Sequence, residues 1–145
     1  MIFFDASAAA KRYFYETGSD QVNRLWSGPE FFSSLAILHC ELTSALNRKR
    51  RERALPRGAY RTLQKQIEED MGKIRTVPIY ADLIELTLRL LDAQPLKTLD
   101  ALYLAGALSL QQTLKEPVLF VAADRQILRA AQAEGLRTLN PETAL

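Results

Sequence analysis

Short apolar blocks along the chain alternate with longer stretches in which apolar residues return at helical spacing. Met1 to Phe4 reads as a buried strand, followed by a helix from Ala6 through Tyr15 that ends near Gly18. Phe31-Phe32 is a second short strand candidate. The Ser33-Ser34 pair offers N-cap hydroxyls to the next helix, whose apolar positions Leu35, Leu38, Leu42, Ala45 and Leu46 fall on one side. That helix runs into Arg48-Lys49-Arg50-Arg51-Glu52-Arg53 and stops around Pro56. A further amphipathic helix, Gly58 to Met71, turns Tyr60, Leu63, Ile67 and Met71 inward, and Gly72 closes it.

Ile74 to Ile79 is a third strand candidate, which Pro78 either ends or confines to a sheet edge. A helix from Ala81 to Leu91 follows, and Pro95 separates it from one that begins at Thr98 as its cap. The run Ala101 to Leu108 in this last helix is apolar all round, which marks it as central. Pro117 to Val121 is a β-rich strand, Asp124 to Glu134 a helix closed by Gly135, and Arg137 to Leu139 a last short strand. Strands alternating with helices imply right-handed crossovers. The expected fold is α/β, a three-layer α/β/α sandwich with a short, mostly parallel central sheet.

At 145 residues and 16.4 kDa the chain fits a single domain spanning residues 1–145, large enough to bury about two-thirds of its unfolded surface. Hydrophobic residues make up 48% and charged residues 25%, a soluble balance, and no apolar run approaches the ~18 residues of a membrane span. The opening Met1-Ile2-Phe3-Phe4-Asp5 lacks the pattern of a secretory signal, so a cytoplasmic address is expected. One cysteine and one histidine exclude a disulfide framework and a zinc site of the usual Cys/His type. His39 and Cys40 are helix neighbours pointing about 100° apart, which rules against a catalytic pair and leaves Cys40 as a buried structural thiol. The net charge of +2 is compatible with nucleic acid without arguing for it.

Chemistry enters with four acids. Asp5 ends the apolar run of the first strand, Asp124 follows Val118-Leu119-Phe120-Val121, and Asp100 opens the apolar stretch from Ala101 to Leu110. In a parallel sheet ligands bind beyond the carboxyl ends of the strands, so Asp5 and Asp124 belong on one edge. Each of these three also suits a helix N-terminus, as cap or first-turn acid, on structural grounds alone. Glu41 does not: its neighbours at helical spacing are Ile37, Leu38, Ser44 and Ala45, so it borders the apolar stripe, where an unpaired charge is costly. Crowded carboxylates raise one another's pKa unless a cation neutralises them. An all-oxygen set suits Mg²⁺ or Mn²⁺, and such a site commonly hydrolyses phosphodiesters. A phosphatase with an aspartyl nucleophile would need a second Asp where Ser7 stands, and no glycine-rich phosphate loop follows any strand.

Taken in order, these residues resemble the PIN domain and, within it, the VapC-type toxin ribonucleases of prokaryotic toxin-antitoxin pairs. Phe4-Asp5-Ala6-Ser7-Ala8 is similar to the family's strand-end Asp-x-Ser/Thr motif, and Ser33-Ser34 followed by Cys40-Glu41-Leu42 to its second-helix glutamate. Leu99-Asp100-Ala101-Leu102-Tyr103-Leu104-Ala105 resembles its most recognisable segment, and Phe120-Val121-Ala122-Ala123-Asp124 its last acidic motif. Tyr103 stands where the family often has His, and Ala122 where it often has Thr. The resemblance implies that Asp5, Glu41, Asp100 and Asp124 coordinate Mg²⁺ or Mn²⁺, with Ser7 orienting water or phosphate. It also implies cleavage of RNA to a 5′-phosphate and a 3′-hydroxyl, a homodimer, and inhibition by a small VapB-like antitoxin whose C-terminal segment covers the site.

The basic run Arg48 to Arg53 reads either as a solvated helix end or as a phosphate contact. Arg48 lies two turns beyond Glu41 on the same face and is a candidate for RNA or antitoxin binding, with Lys11 and Arg12 as weaker ones. Trp26 and the cluster Tyr13, Phe14 and Tyr15 read as packing or a dimer face rather than base-stacking platforms. The expected function is a metal-dependent endoribonuclease acting on single-stranded or loop RNA. The rivals are a catalytically idle module of this fold that binds RNA or protein, and a small metal-dependent phosphatase.

Overall fold

Ile2 and Phe4 point to one side of strand β1 (Ile2–Phe4) and Phe3 to the other, and this alternation divides the molecule into two cores. The structure is a computed structural model that describes residues 1–143. Among these, β2 (Phe32–Leu35), β3 (Arg75–Val77), β4 (Leu119–Val121) and β5 (Arg137–Leu139) join β1 in a five-stranded sheet of order β3-β2-β1-β4-β5. Every pairing is parallel, with Phe3 opposite Ser33 on one side and Phe120 on the other.

One face of the sheet carries α1 (Ala6–Ala10), α2 (Ser19–Trp26), α3 (Leu38–Arg51) and α4 (Ala59–Met71) over a core of Ile2, Phe4, Val22, Leu42, Ile67 and Val121. The opposite face carries α5 (Ala81–Ala93), α6 (Thr98–Leu114) and α7 (Arg125–Ala133) over Phe3, Leu35, Leu104, Phe120 and Ile127. The three-layer sandwich expected from the alternation of strands and helices is therefore the observed fold. Helix α6 lies close against the sheet at Gly106, where a Cβ would come within 3.0 Å of Phe3 Cζ and 3.1 Å of Leu35 Cδ1. Strand β3 forms the edge that Pro78 foretold.

Several local expectations are corrected. The first helix stops at Ala10 instead of Tyr15, because the chain turns to bury Tyr13 and Phe14 among α3 and α4. An unforeseen helix, α2, follows Gly18, whose left-handed φ of 91° and close approach to the Pro141 carbonyl (2.9 Å from a built Cβ) both require glycine. Ser33 and Ser34 cap no helix; they lie inside β2, where their hydroxyls donate to the carbonyls of Ile2 and Phe4 at 3.1 and 2.7 Å. Leu35 belongs to that strand too. Lys97, not Thr98, occupies the cap position of α6, and no side chain closes it.

Cys40 is exposed rather than buried. The inward positions of α3 are Leu38, Leu42 and Leu46, and a residue two places from Leu38 and Leu42 points away from that stripe. Trp26 packs as expected, its ring stacked on Phe32 at 4.9 Å and tilted against Phe4 at 5.3 Å. Among the described residues no helix is long and apolar enough to cross a membrane.

Candidate active site

Neighbouring strands β1 and β4 send the chain in opposite directions across the sheet, one toward β2 and the other toward β5. Such a switch point opens a crevice beyond the strands' carboxyl ends. Asp5 leaves β1 there, and Asp124 follows β4 across Ala122 and Ala123. The backbone N–H of Asp5 donates to the Val121 carbonyl at 3.0 Å, tying the two exits together.

Asp5 caps α1 and is almost wholly buried. Its Oδ1 accepts from the Ala8 N–H at 2.8 Å, and the Ser7 hydroxyl lies 2.9 and 2.8 Å from its two oxygens. Burial pushes its pKa up to about 7; the Ala8 and Ser7 hydrogen bonds oppose the rise, and the Asp100 and Glu41 charges add to it. Ser7 also accepts from the Ala123 N–H at 3.3 Å, which links this cap to the loop carrying Asp124.

Glu41 finds the partner its apolar surroundings demanded in Tyr103, whose hydroxyl donates to Oε2 across the sheet edge. Burial and the adjacent Glu41 carboxylate both raise the phenol's pKa, so Tyr103 stays a donor. Asp100 sits in the first turn of α6. Burial first, and then the charge of Asp124, raise its carboxyl, while Lys97 opposes the shift.

Asp5, Ser7, Glu41, Asp100 and Tyr103 line one pocket of about 450 Å³, with exposed Lys97 beside them. Asp124 does not line it. Its carboxylate is turned into its own helix, accepting from the N–H groups of Gln126 (2.6 Å) and Ile127 (3.3 Å), and it faces a neighbouring cavity of about 650 Å³ with Arg125 and Arg129. Three of the four acids thus share a pocket, and the fourth borders it closely enough to act on Asp100. A larger cavity, about 680 Å³ between Phe14, Lys49 and Leu63, is lined by no acid.

Among the described residues no three His, Cys, Asp or Glu side chains stand arranged to hold an ion. The acids with hydrogen bonds here turn toward protein donors: Asp5 to Ala8 and Ser7, Glu41 to Tyr103, Asp124 to the α7 amides. The donor chemistry nevertheless suits a hard divalent cation. The pocket presents carboxylates without thiolate or imidazole, and the Asp100 and Glu41 charges that add to the burial-driven rise of Asp5 are what a cation would offset.

The sequence-derived cations separate. Arg48 lines an adjoining cavity of about 280 Å³ that also touches Ser7 and Glu41. Lys11 and Arg12 are corrected: Lys11 is buried between Glu16 (3.1 Å) and Glu142 (2.7 Å), and Arg12 is bonded to Asp70 at 2.6 Å and lies over the Trp26 ring. Their charges are spent within the fold. Sequence reasoning missed Lys97, Arg125, Arg129 and the role of Tyr103 as partner of Glu41. The last was legible in principle, since Tyr103 lies one helical turn from Asp100 and shares its face.

A family model described as "PIN domain" matches residues 2–133. Two relatives in Mycobacterium tuberculosis, Ribonuclease VapC45 of strain CDC 1551 / Oshkosh and Ribonuclease VapC49 of strain ATCC 25618 / H37Rv, are each 30% identical over 138 residues, covering 94% of this chain and 93% of theirs. A solved toxin-antitoxin complex from Klebsiella pneumoniae contains a chain of similar fold, with a TM-score of 0.60 and 13% identity over 97% of this chain and 98% of that one.

Proposed function

From the premise that this chain belongs to the PIN-domain family, we propose that it is a VapC-type toxin, an endoribonuclease that depends on Mg²⁺ or Mn²⁺ and is neutralised by a cognate VapB-like antitoxin. The observation that carries the reading is the convergence of Asp5, Glu41 and Asp100 on one pocket at the switch point, with Asp124 at its border.

Asp5, Glu41 and Asp100 would hold the metal, with Asp124 directly or through water. Such an ion supplies Lewis-acid stabilisation of charge on a phosphoryl oxygen and acidifies water for in-line attack. The chain's own residues prepare the site. Tyr103 fixes the Glu41 carboxylate, and Ser7 fixes that of Asp5 while tying it to the Ala123 loop. Burial raises the Asp5 carboxyl to about 7, so at neutral pH a cation would displace a proton from part of the population, and its binding would strengthen as pH rises. Hydrolysis adds water to phosphorus, breaks the bond to the 3′-oxygen, and leaves a 5′-phosphate and a 3′-hydroxyl.

An RNA substrate and a cytoplasmic setting accord with this reading. The exposed residues Ile84 and Leu88 on α5, with Tyr80 at its N-cap, support a homodimer. The rival of an idle binding module draws on the protein donors that now engage Asp5, Glu41 and Asp124. Incubating the purified protein with a mixed RNA pool, with and without Mn²⁺, beside Asp5→Asn and Asp100→Asn, decides between them. Manganese-dependent cleavage lost in both variants supports the toxin; equal cleavage by all three proteins sinks the catalytic assignment.

A further inference from the structure

Three cavities succeed one another around the acids of the candidate site, through shared or sequence-adjacent lining residues. The pocket of the acids shares Ala6, Ser7 and Glu41 with the cavity of Arg48. The cavity of Asp124, Arg125 and Arg129 shares no lining residue with that pocket, but the α5–α6 connection borders both, through Gln94 and Pro95 in one and Lys97 in the other. The Gln126 side chain donates to the Pro95 carbonyl, holding α7 against that connection. Charge along this succession runs basic, acidic, basic.

The cations at its two ends differ from many others in the chain. Lys11, Arg12, Lys65 and Arg89 are each paired with a carboxylate, and Lys49 and Arg50 lie over aromatic rings. Arg48, Arg125 and Arg129 are exposed and make no ion pair among the described residues. They are also the arginines that line these cavities. Arg48 stands two helical turns from Glu41, about 10 Å along α3, too far to serve the reacting phosphate and well placed for a neighbouring one. Arg125 and Arg129, one turn apart on α7, form a similar pair beyond Asp124.

We propose that the three cavities form one trough for a single RNA strand, with Arg48 holding a backbone phosphate on one side of the scissile bond and Arg125 and Arg129 holding one on the other. This rests on the ribonuclease reading and adds to it the residues that bind the flanking strand. RNA is favoured over an acidic protein segment because the central carboxylates have a use only where the ligand carries a phosphodiester to be cut. Phosphate contacts of this kind position the strand without reading its sequence.

The test measures steady-state cleavage with Mn²⁺, and fluorescence anisotropy of labelled oligoribonucleotides in metal-free buffer, for wild type, Arg48→Gln, Arg129→Gln and Arg137→Gln. Arg137 opens β5 at the opposite edge of the sheet and serves as the control. For a strand of about eight nucleotides, within the usual site size of a single-strand groove, Arg48→Gln and Arg129→Gln each raise Kd and KM roughly five- to tenfold at low salt, with a smaller change in kcat. The salt slope of log affinity falls by about 0.7 per lost contact. The loss shrinks for a dinucleotide, all variants keep the wild-type melting temperature, and Arg137→Gln behaves as wild type. If wild type cleaves RNA while Kd, KM and salt slope ignore Arg48 and Arg129, the trough is overturned and the ribonuclease reading stands. Unchanged RNA affinity with weakened antitoxin binding overturns it as well and assigns the arginines to the partner. Wild type that neither cleaves nor binds RNA overturns both.

Discussion

The hydroxyl of Tyr103 on α6 donates to the Glu41 carboxylate on α3, a contact between helices on opposite faces of the sheet and residues 62 positions apart. It closes the two outer layers over the strand ends and fixes Glu41, which the later start of α3 at Leu38 places in that helix's first turn, whereas the sequence pattern puts it in the helix interior. Removing it tests both roles. Tyr103→Phe leaves Glu41 without its donor and should lower stability by about 1–2 kcal/mol and RNA cleavage by roughly 10- to 100-fold, the usual effect of losing a partner that orients a metal ligand. Thermal melts beside cleavage kinetics measure the two, and full activity in Tyr103→Phe would deny the orienting role.

Asp5 gives the metal-free protein a pH dependence whose sign is fixed by burial. Its carboxyl titrates near the ordinary carboxyl value of 3.8 when unfolded and at about 7 when folded, so across that window the folded state binds more protons. Its contribution to stability is therefore full below about pH 4 and fades as pH rises through 7. Melting temperatures of metal-free protein should fall between pH 5 and pH 8 in wild type and much less in Asp5→Asn. Added Mg²⁺ binds the ionised form and should stabilise wild type more at pH 8 than at pH 5. A melting temperature that rises steadily over this range in metal-free protein contradicts the assignment.

Asp70 joins the end of α1 to the end of α4 by accepting from Arg12 Nε at 2.6 Å and from the Tyr13 hydroxyl at 3.0 Å, and it is buried. Asp70→Ala strands a partly buried guanidinium and a buried phenol together, at a cost of about 3 kcal/mol or more. Asp70→Asn keeps an acceptor and should cost less. Urea unfolding of both variants checks the order, and equal stability of wild type and Asp70→Ala would show that the pair contributes nothing.

Ile84 and Leu88, 42% and 57% exposed on the outer face of α5, are large apolar residues lying one helical turn apart. If they join two copies, Leu88→Glu should yield a monomer by sedimentation while the far-ultraviolet spectrum and melting profile remain those of a folded chain. An unchanged mass would move the homodimer to another surface.

Legibility in the sequence followed the range of the forces involved. Met1 to Phe4 and Pro117 to Val121 read as strands because an apolar block between turn residues has few alternatives. Asp5 and Asp124 read as strand-end acids for the same local reason. Ser33 and Ser34 were misread because a serine pair before a helix suits an N-cap, whereas the structure uses their hydroxyls to bond the neighbouring strand. Helix α2 escaped notice because Val22, Leu25 and Trp26 make too short an apolar stripe to stand out.

The sequence by itself determined the alternation of strands and helices, hence the parallel three-layer fold, and it placed acids at the strand ends and a charge at Glu41 that had to be answered. These follow from periodicity and from the cost of burying an unpaired group, both of which act over a few residues. Only the tertiary structure decided that Tyr103 answers Glu41, that Lys11 and Arg12 are held by Glu16, Glu142 and Asp70, and that Asp124 faces the arginines of α7 from the border of the pocket. Those neighbours are set by how helices from opposite faces close over one sheet edge. The contact depends on packing across the fold, and no local pattern encodes it.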